Sequence, residues 1–232
     1  MHNIIIQDFT VKNPVQMIGY EAGICWGADV TDPIKNEKRG WDCIKSEHGR
    51  TLEFPQIYMT IKGYSARMMR ELYTHIGGMP TRLQESTRYI DYESGFNYVT
   101  PHTVEANPEA LNEYNAMMND ILTHLQNLEN MNIPREDTAM GLPLGMESGM
   151  VLRTNLRNLI DMSHQRMCSR AYWEFREFMN ELKNELGNYS AEWYEVVNFA
   201  FKPKCEARGY CVEKKSCGTM PCVVQSKRGI YV

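Results

Sequence analysis

The sequence predicts a fold that mixes strands with helices and becomes mainly helical in its second half. Residues 55–62 alternate apolar and polar side chains, as a half-buried strand does. Residues 108–128 repeat apolar side chains at helical spacing, and residues 155–187 continue such a pattern as one long helix or a helix pair. The face of the strand that is expected to point inward carries Ile57, Met59 and Ile61.

Shorter signals predict the other elements of the first half. Residues 4–6 predict a buried strand and residues 19–26 a second one, whereas residues 27–50 give no assignable element. Gly63 is expected to end the strand at 55–62, and Ser65 to cap a helix that runs to about His75. The side chains of that helix expected to point inward are Met68, Met69, Leu72, Tyr73 and Ile76.

In the second half, Pro134 predicts the first turn of a short helix, where its missing N–H is not needed. Residues 145–152 predict a hairpin or a bent strand. A helix is expected from Asn155 to about Cys168, and another from Ser190, as its N-cap, to about Phe199. The last residues of the chain lose this periodicity.

Length and composition restrict the class of protein. A chain of 232 residues with 43% hydrophobic side chains suits a single domain, placed at 1–202, followed by a cysteine-rich tail at 203–232. The net charge of −4 gives no support for binding a nucleic-acid polymer. Since no apolar run approaches the ~20 residues of a membrane span, and the first residues lack the pattern of a signal peptide, we expect a cytoplasmic protein with reduced thiols.

The polar stretch at residues 74–92 predicts a binding loop. Its glycines allow the backbone to approach a ligand closely, and arginines and hydroxyls are groups that hold phosphates. Arg82 and Arg88 are therefore expected to clamp a phosphate, and Ser86 to bond to a flat ring. The alternative is a solvated connection with incidental charge. The polar side chains of the stretch include Thr81, Arg82, Gln84, Glu85, Ser86, Arg88 and Tyr89.

Two arginines and two histidines are further candidates. Arg166 and Arg170 lie four residues apart on a predicted helix and so share a face, which either binds an anion or is a solvated basic surface. His75 is expected at a helix C-terminus as a partner of the dipole, and His164 at the surface or at an interface. Neither histidine has a Ser or Cys partner placed by the sequence, so a nucleophilic triad is unsupported.

Four of the seven cysteines lie in the tail: Cys205, Cys211, Cys217 and Cys222. Their spacing lacks the tight pair of most zinc sites. A structural metal, disulfides and free thiols therefore remain three open interpretations. The other cysteines, Cys25, Cys43 and Cys168, are expected to be small buried hydrophobes.

Two separate segments resemble the flavin-dependent thymidylate synthase family. Residues 63–101 contain THIGGMPTRLQESTRY, similar to the family pattern of an Arg-His-Arg triplet, seven residues and Ser-x-Arg-Tyr. Residues 141–176 contain LPLGM and NLRNLIDMSHQRMCSRAYWEFR, similar to the pattern Asn, a helix, Arg and Ala-x-Trp-Glu. The order of the segments is that of the family. The chain looks like a divergent branch with a THIGG-x-PTRLQ-x-STRY loop and a cysteine-bearing tail.

The resemblance implies a fold, an activity and partners. The fold would be α+β, a curved and mainly antiparallel sheet packed with long helices, and the domain at 1–202 would be catalytic. The activity would be methylation of dUMP to dTMP, with FAD as cofactor and with methylenetetrahydrofolate and NADPH as co-substrates. The family assembles as a homotetramer whose active sites are shared between subunits.

The resemblance also implies roles for individual residues. Ser86 would lie beside the pyrimidine, Arg88 at the phosphate, and Arg166 at the nucleotide and near the flavin, so that Ser86 and Arg166 form the catalytic pair. Asn155 and His75 would contact FAD. The remaining positions are Glu71, Arg82, Gln84 and Glu85 for the substrate, and Thr74, Ile76 and Arg82 for the cofactor.

The chain departs from the family pattern in the same loop. Thr74 and Ile76 replace both arginines of the triplet, and the spacer that follows has nine residues instead of seven. We expect Arg82 to restore one positive charge. Glu71 replaces a common glutamine, and Ala139 lies in a zone where many members carry a nucleotide-binding arginine.

Three functions follow from these patterns. The first is methylation of dUMP. The second is the same flavin chemistry on another pyrimidine, such as dCMP, or with hydroxymethyl transfer; the changes at Glu71 and Ala139 favour it, because a changed hydrogen-bond partner alters base preference. The third is a nucleotide-binding or assembly protein without catalysis, which the missing arginines favour.

Overall fold

The computed structural model describes residues 2–92 and 94–222, and the backbone of residues 224–226 and 229–231. Both helices and strands are present, as the sequence predicts. In chain order they are β1 (Asn3–Ile6), α1 (Pro14–Cys25), α2 (Pro33–Lys45), β2 (Gln56–Ser65), α3 (Ala66–Leu72), β3 (Thr81–Gln84), α4 (His102–Glu105), α5 (Pro108–Asn130), α6 (Arg135–Thr138), β4 (Glu147–Asn155), α7 (Leu156–Arg166), α8 (Trp173–Tyr189), α9 (Ala191–Ala200), α10 (Lys204–Arg208), β5 (Val224–Ser226) and β6 (Gly229–Tyr231).

Four strands form one sheet in the order β1-β2-β4-β3. The β2–β4 pair is antiparallel, because the amide of Ala66 donates to the carbonyl of Met146 at 2.8 Å at one end of the pair, and that of Leu156 donates to Pro55 at 3.1 Å at the other. The predicted α+β class with an antiparallel sheet is thus confirmed. The alternation predicted for β2 is also confirmed, since Ile57, Met59 and Ile61 are 0% exposed.

The chain separates into two compact units. Unit 1 comprises Met1–Asn3, Thr60–Thr74 and Arg82–Val151. Unit 2 comprises Ile4–Met59, His75–Thr81 and Leu152–Val232. Strands β2 and β4 each contribute residues to both units.

Unit 1 contains α3 and the long helix α5. Ser65 caps α3 as predicted, its hydroxyl accepting from the amide of Met68 at 3.1 Å. However, β2 passes through Gly63, whose φ of +78° a glycine adopts without strain, and α3 ends at Leu72. Tyr73 and Ile76, predicted to point inward, are therefore beyond the helix and exposed. Helix α5 matches the prediction closely, although Met118 and Leu125 are the buried residues along this fully described helix.

Unit 2 contains the element that the sequence predicted wrongly. Residues 19–25 lie in helix α1, and Trp26 is its C-cap. Asn13 caps the start of this helix by accepting from the amide of Gln16 at 2.8 Å. Its buried residues Val15, Ile18 and Ala22 recur at helical spacing. The strand prediction failed because it began inside this period. Residues 27–50, left without an element, contain α2, which Asp32 caps.

The second half of the chain is helical, as predicted, and its helical stretch is a pair. Helix α7 ends at Arg166 and α8 begins at Trp173, so Arg170 lies in the connection and does not share a helix face with Arg166. Residues 147–155 form a strand and not a hairpin. Ser190 caps α9 as predicted, accepting from the amide of Trp193 at 3.1 Å.

Two further features concern the surface. In β1, Ile4 is buried but Ile5 is 50% exposed, so this strand is half-buried and not fully buried as predicted. Within the described residues, every helix is too short or too polar to cross a bilayer.

Candidate active site

The loop predicted at residues 74–92 is less irregular than expected. It contains strand β3, and its residues are divided between the two units, with His75–Thr81 in unit 2 and the remainder in unit 1. The polar side chains of the loop therefore form two groups, one in unit 2 and one in unit 1.

In unit 2 the sequence-predicted residues His75 and Arg166 meet directly. Nε of Arg166 donates to Nε2 of His75 at 2.9 Å, so this ring nitrogen carries no proton. His75 is 6% exposed and lies beyond the end of α3, so it is not the helix-terminal partner that the sequence predicted. The guanidinium also lies 4.7 Å from the ring centre of Phe175, which packs against the histidine ring. The pair is thus held at the end of α7 by an aromatic wall.

Asn155 organises the start of the same helix. Its Oδ1 accepts from the amide of Asn158 at 2.9 Å and so caps α7. The backbone of Gly78 passes close to this cap: it has a φ of +67°, and a Cβ there would lie 1.9 Å from Nδ2 of Asn155. Both its backbone angle and this close approach require a glycine. The Gly77-Gly78 pair of the sequence is explained in this way.

Two residues of this group were missed by the sequence reasoning. Asn158 donates from Nδ2 to Oγ1 of Thr154 at 2.9 Å and to the carbonyl of His75 at 3.5 Å, and so ties α7 to the loop. Arg153 donates to Oγ1 of Thr81 at 3.0 Å, while its Nε is buried without a hydrogen-bond partner among the described residues. A basic side chain directly after the apolar run 150–152 was the available signal for Arg153.

In unit 1, Arg82 is tied to the end of α3. One of its terminal nitrogens donates to the carbonyl of Leu72 at 3.2 Å, and the guanidinium lies 5.1 Å from the ring centre of Tyr73. Burial lowers the pKa of the Arg82 guanidinium. A positive charge kept at a helix C-terminus is favourable there, because it meets the exposed carbonyl dipoles. That Arg82 substitutes for a family arginine stays a prediction.

Gln84 and Glu85 both bond to strand β4. Nε2 of Gln84 donates to the hydroxyl of Ser148 at 3.0 Å, and the amide of Gly149 donates to a carboxylate oxygen of Glu85 at 2.6 Å. A cavity of about 270 Å³ adjoins them. Burial, followed by the charge of Glu85, raises the pKa of Tyr92 on its wall.

Ser86 and Arg88 lie in the turn that follows. The carbonyl of Ser86 accepts from the amides of Tyr89 and Ile90, at 3.0 and 3.2 Å. Arg88 is exposed and pairs with Glu136 at 3.3 Å. An exposed pair of this kind contributes little stability, so the guanidinium can be released to another anion at small cost.

The remaining predicted residues flank the loop. The hydroxyl of Thr74 donates to the carbonyl of Glu71 at 2.7 Å, and Glu71 itself is half-buried. Ile76 is 72% exposed. His164 on α7 is half-buried, and burial is the main cause that lowers its pKa.

The cysteines, all within the described residues, are free thiols. Cys43 is buried as predicted, but Cys25 is exposed. Cys168 is half-buried and lines one cavity with Cys205, Cys211 and Cys217. Burial raises the pKa of Cys205, and Cys211 raises it further. In the described part of the chain, no three His, Cys, Asp or Glu side chains are placed to hold one metal ion.

Comparison with known proteins agrees with the resemblance seen in the sequence. The profile of the family described as "Thymidylate synthase complementing protein" matches residues 8–189. The chain is 26% identical over 218 residues to a flavin-dependent thymidylate synthase of Nitratidesulfovibrio vulgaris, covering 87% of this chain and 86% of the relative. It is 25% identical over 225 residues to one of Pyrococcus furiosus, covering 92% and 91%.

Solved structures show the same fold. Thymidylate synthase X from Helicobacter pylori, crystallised with FAD and dUMP, aligns with a TM-score of 0.63 and 18% identity over 85% of this chain and 99% of its own. The UMP/dUMP methylase PolB from Streptomyces cacaoi, bound with 5-Br dUMP, aligns with a TM-score of 0.70 and 16% identity, covering 87% and 96%.

Fold and family together define an enzyme of the methyltransferase class. The chain belongs to the flavin-dependent thymidylate synthase family. The recognition made from the two sequence segments is thus confirmed.

Proposed function

We propose that this protein is a flavin-dependent thymidylate synthase that methylates dUMP to dTMP. The observation that carries the proposal is the bond between Arg166 and the buried His75, beside the Asn155 cap of α7. The family resemblance assigns these three residues to the flavin and the nucleotide. The structure builds them into one group within unit 2, in a chain that the family profile matches over most of its length.

The residues present fit a flavin. FAD carries carbonyl and ring-nitrogen acceptors and a diphosphate, and the group around α7 consists mainly of donors: a guanidinium, amide side chains and loop backbone. The second basic side chain nearby, Arg153, has a buried Nε without a hydrogen-bond partner in the described part of the chain. An unsatisfied buried donor costs free energy, so an acceptor from a bound cofactor would stabilise it. His75 and Asn155 are the residues we assign to holding FAD, and Arg166, bonded to His75, is assigned to the nucleotide beside it.

The residues of the polar loop in unit 1 fit a nucleotide. The guanidinium of Arg88 is exposed and weakly paired, and so is ready to take a phosphate as a bidentate partner. Ser86 offers a hydroxyl two residues earlier. Gln84 and Glu85 are fixed by their bonds to Ser148 and Gly149, and so hold the turn that carries Ser86 in place.

The chemistry divides between cofactor and protein. When bound, reduced FAD supplies the electrons that complete the new methyl group, methylenetetrahydrofolate supplies the carbon, and NADPH restores the reduced flavin. The protein's own groups would orient the reactants: Arg166 would hold the nucleotide, and the buried ring of Phe175, which packs against His75 and Arg166, would keep water from that side.

A second candidate is the same chemistry on a cytosine nucleotide. Glu71 is the observation that favours it, because a carboxylate accepts from the exocyclic amine of cytosine, which uracil lacks. The half-buried position of Glu71 at the end of α3 keeps its carboxylate partly out of water.

Absorption spectra and tritium release test the proposal. The protein purified in air is expected to be yellow, or to become so when FAD is added. With NADPH and methylenetetrahydrofolate, it should release tritium from dUMP labelled at carbon 5 and not from labelled dCMP. Release from dCMP alone would replace the first candidate by the second. Protein that takes up no FAD would contradict both, and flavin binding without release from either nucleotide would indicate a protein that has lost catalysis.

Substitution of Arg166 tests the residue assignment. Arg166→Ala should raise the Kd for the nucleotide about 5- to 150-fold, since a charged hydrogen bond is worth about 1–3 kcal/mol. Arg50→Ala, which removes an exposed arginine paired with Glu53 outside the site, is the matched control. Equal affinities of the two variants would show that Arg166 is misassigned.

A further inference from the structure

Four thiols from distant parts of the sequence line one cavity of unit 2. Cys168 lies between α7 and α8, Cys205 lies in α10, and Cys211 and Cys217 lie in the segment that follows. The cavity has a volume of about 410 Å³ and is partly open. Cys222, which the tail spacing grouped with the others, does not line it; its thiol donates to the carbonyl of Glu213 at 3.4 Å. The structure thus replaces Cys222 by Cys168 in the set of four.

The same cavity carries an excess of positive charge. Its lining includes Arg166, which is also assigned to the nucleotide, and four further cations: Arg170, Lys204, Arg208 and Lys215. One acid, Glu213, also lines it and pairs with Arg170 at 3.3 Å. Four ionised thiolates around a divalent ion carry a net charge of −2, and cations of this number would offset it. Without such a negative centre, the cations would repel one another around the cavity.

The tail has almost no apolar core of its own. Among the described side chains from 202 to 222, Cys211 alone is buried. Its one helix, α10, has five residues. Segments with so small a core usually depend on disulfides or a metal for their structure. All seven cysteines are free thiols in the structure, so the proposal gives that role to a metal.

We propose that Cys168, Cys205, Cys211 and Cys217 form the ligand set of a metal centre that fastens the tail to the end of α7. Four thiolates are the donors of closed structural zinc sites and of iron–sulfur clusters, and their softness favours both over magnesium or calcium. On binding, each thiol gives its proton to solvent and its sulfur becomes a ligand. Binding of Zn²⁺, or of a cluster that is already assembled, changes no oxidation state.

The placement of the thiols sets a condition on the centre. Within the described residues, no three potential ligands lie close enough around one point to hold a single ion. Binding of a zinc ion or of an iron–sulfur cluster therefore requires the thiols to turn toward one another about their χ1 bonds. A zinc ion and an iron–sulfur cluster would both use the same four thiolates as ligands.

Metal analysis of the full-length protein is the first test. Protein prepared without chelator and under reducing conditions should contain about one zinc ion per chain, or iron with an equal amount of acid-labile sulfide. Acid-labile sulfide distinguishes an iron–sulfur cluster from a zinc ion. Absorbance cannot do so, because the bands of a cluster overlap those of the flavin. In the natural protein, four thiols should resist a thiol reagent until a chelator is added, while the exposed Cys25 reacts at once.

Serine substitutions identify the ligands. Cys168→Ser is the decisive variant, since the tail spacing alone would not include it, and it should abolish stoichiometric metal. Cys222→Ser, in the tail but off the cavity, and Cys25→Ser, outside the tail, are the matched controls and should retain metal. Cobalt added to the natural protein should give the absorption bands of a tetrahedral thiolate site, and those bands should be lost only in the ligand variants.

Three results would overturn the proposal. The first is natural protein that contains no stoichiometric metal and whose four thiols react without a chelator. The second is a disulfide among the four cysteines in unreduced protein. The third is loss of metal in Cys222→Ser together with its retention in Cys168→Ser. None of these outcomes depends on flavin binding or tritium release, so the proposal stands or fails separately from the proposed function.

Discussion

At the scale of residues, the group around α7 depends on one amide side chain in two roles. Asn155 caps the helix through Oδ1, and its Nδ2 lies against the backbone of Gly78. The carbonyl oxygen therefore faces the helix amides, and the amide nitrogen faces the loop that contains His75. A residue that joins a helix cap to a binding loop couples local helix stability to the shape of the site.

The Gly78 position allows a direct test of this coupling. Gly78→Ala should lower the free energy of unfolding by about 2 kcal/mol or more, because the new Cβ meets Asn155 in addition to adopting an unfavourable backbone angle. Gly209→Ala is the matched control: its φ is +80°, but nothing lies within 4 Å of the added carbon. Urea unfolding measures both. Equal losses would mean that the loop simply moves away from Asn155.

At the scale of elements, α7 connects several features of the molecule. It begins at the Asn155 cap, ends at Arg166, and is followed by Cys168. Its exposed side carries Arg157, which pairs with Glu53. Near its end, His164 is half-buried, and the charges of Glu47, Asp161, Lys202 and Lys204 affect its pKa.

His164 predicts a pH dependence of stability. Burial lowers its pKa, against the smaller opposing effects of Glu47 and Asp161, while Lys202 and Lys204 act with burial. The unfolded chain therefore binds a proton at a higher pH than the folded chain does. Stability from this residue is complete above the unfolded pKa of about 6.5 and decreases as the pH falls toward the folded value.

Urea unfolding between about pH 7.5 and 5.5 measures this effect. His164→Gln should reduce the slope of stability against pH, and His124→Gln, at an exposed position on α5, should leave it unchanged. An unchanged slope in His164→Gln would contradict the assignment. A histidine that is stabilised in its charged form would give the opposite result, with stability lost as the pH rises.

At the scale of the whole molecule, the family resemblance predicts a homotetramer. The structure of one chain offers a supporting feature in unit 1: α5 carries a long apolar stripe, but only Met118 and Leu125 of this described helix are buried. Met117 is 47% exposed. Apolar faces left open in this way commonly mark contacts between subunits.

Sedimentation analysis tests the assembly. The natural protein should have four times the mass of one chain. Met117→Glu, which places a charge on the open face of α5, should shift the protein toward smaller species, whereas Met140→Glu, at an exposed position outside α5, should not. A natural protein that sediments as a monomer would contradict the prediction, and an unchanged tetramer in Met117→Glu would remove α5 from the interface.

Strong local patterns made much of the fold predictable. Ile57, Met59 and Ile61 alternate because one face of β2 is buried, and the caps at Ser65 and Ser190 satisfy amides of their own helices. Such features depend on neighbours within a few residues. The strand predicted at residues 19–26 failed because its apolar residues continue an earlier helical period, which a short window does not contain.

The sequence by itself determined the family and the order of most elements, and it predicted His75, Asn155 and Arg166 as members of one site. The spacing of a motif can be read from the sequence alone, without the structure. Only the tertiary structure decided that Arg166 bonds to His75, that Arg153 and Asn158 hold the loop, and that Cys168 joins the cysteines of the tail. These contacts join residues far apart in sequence, and chain folding rather than local periodicity brings them together.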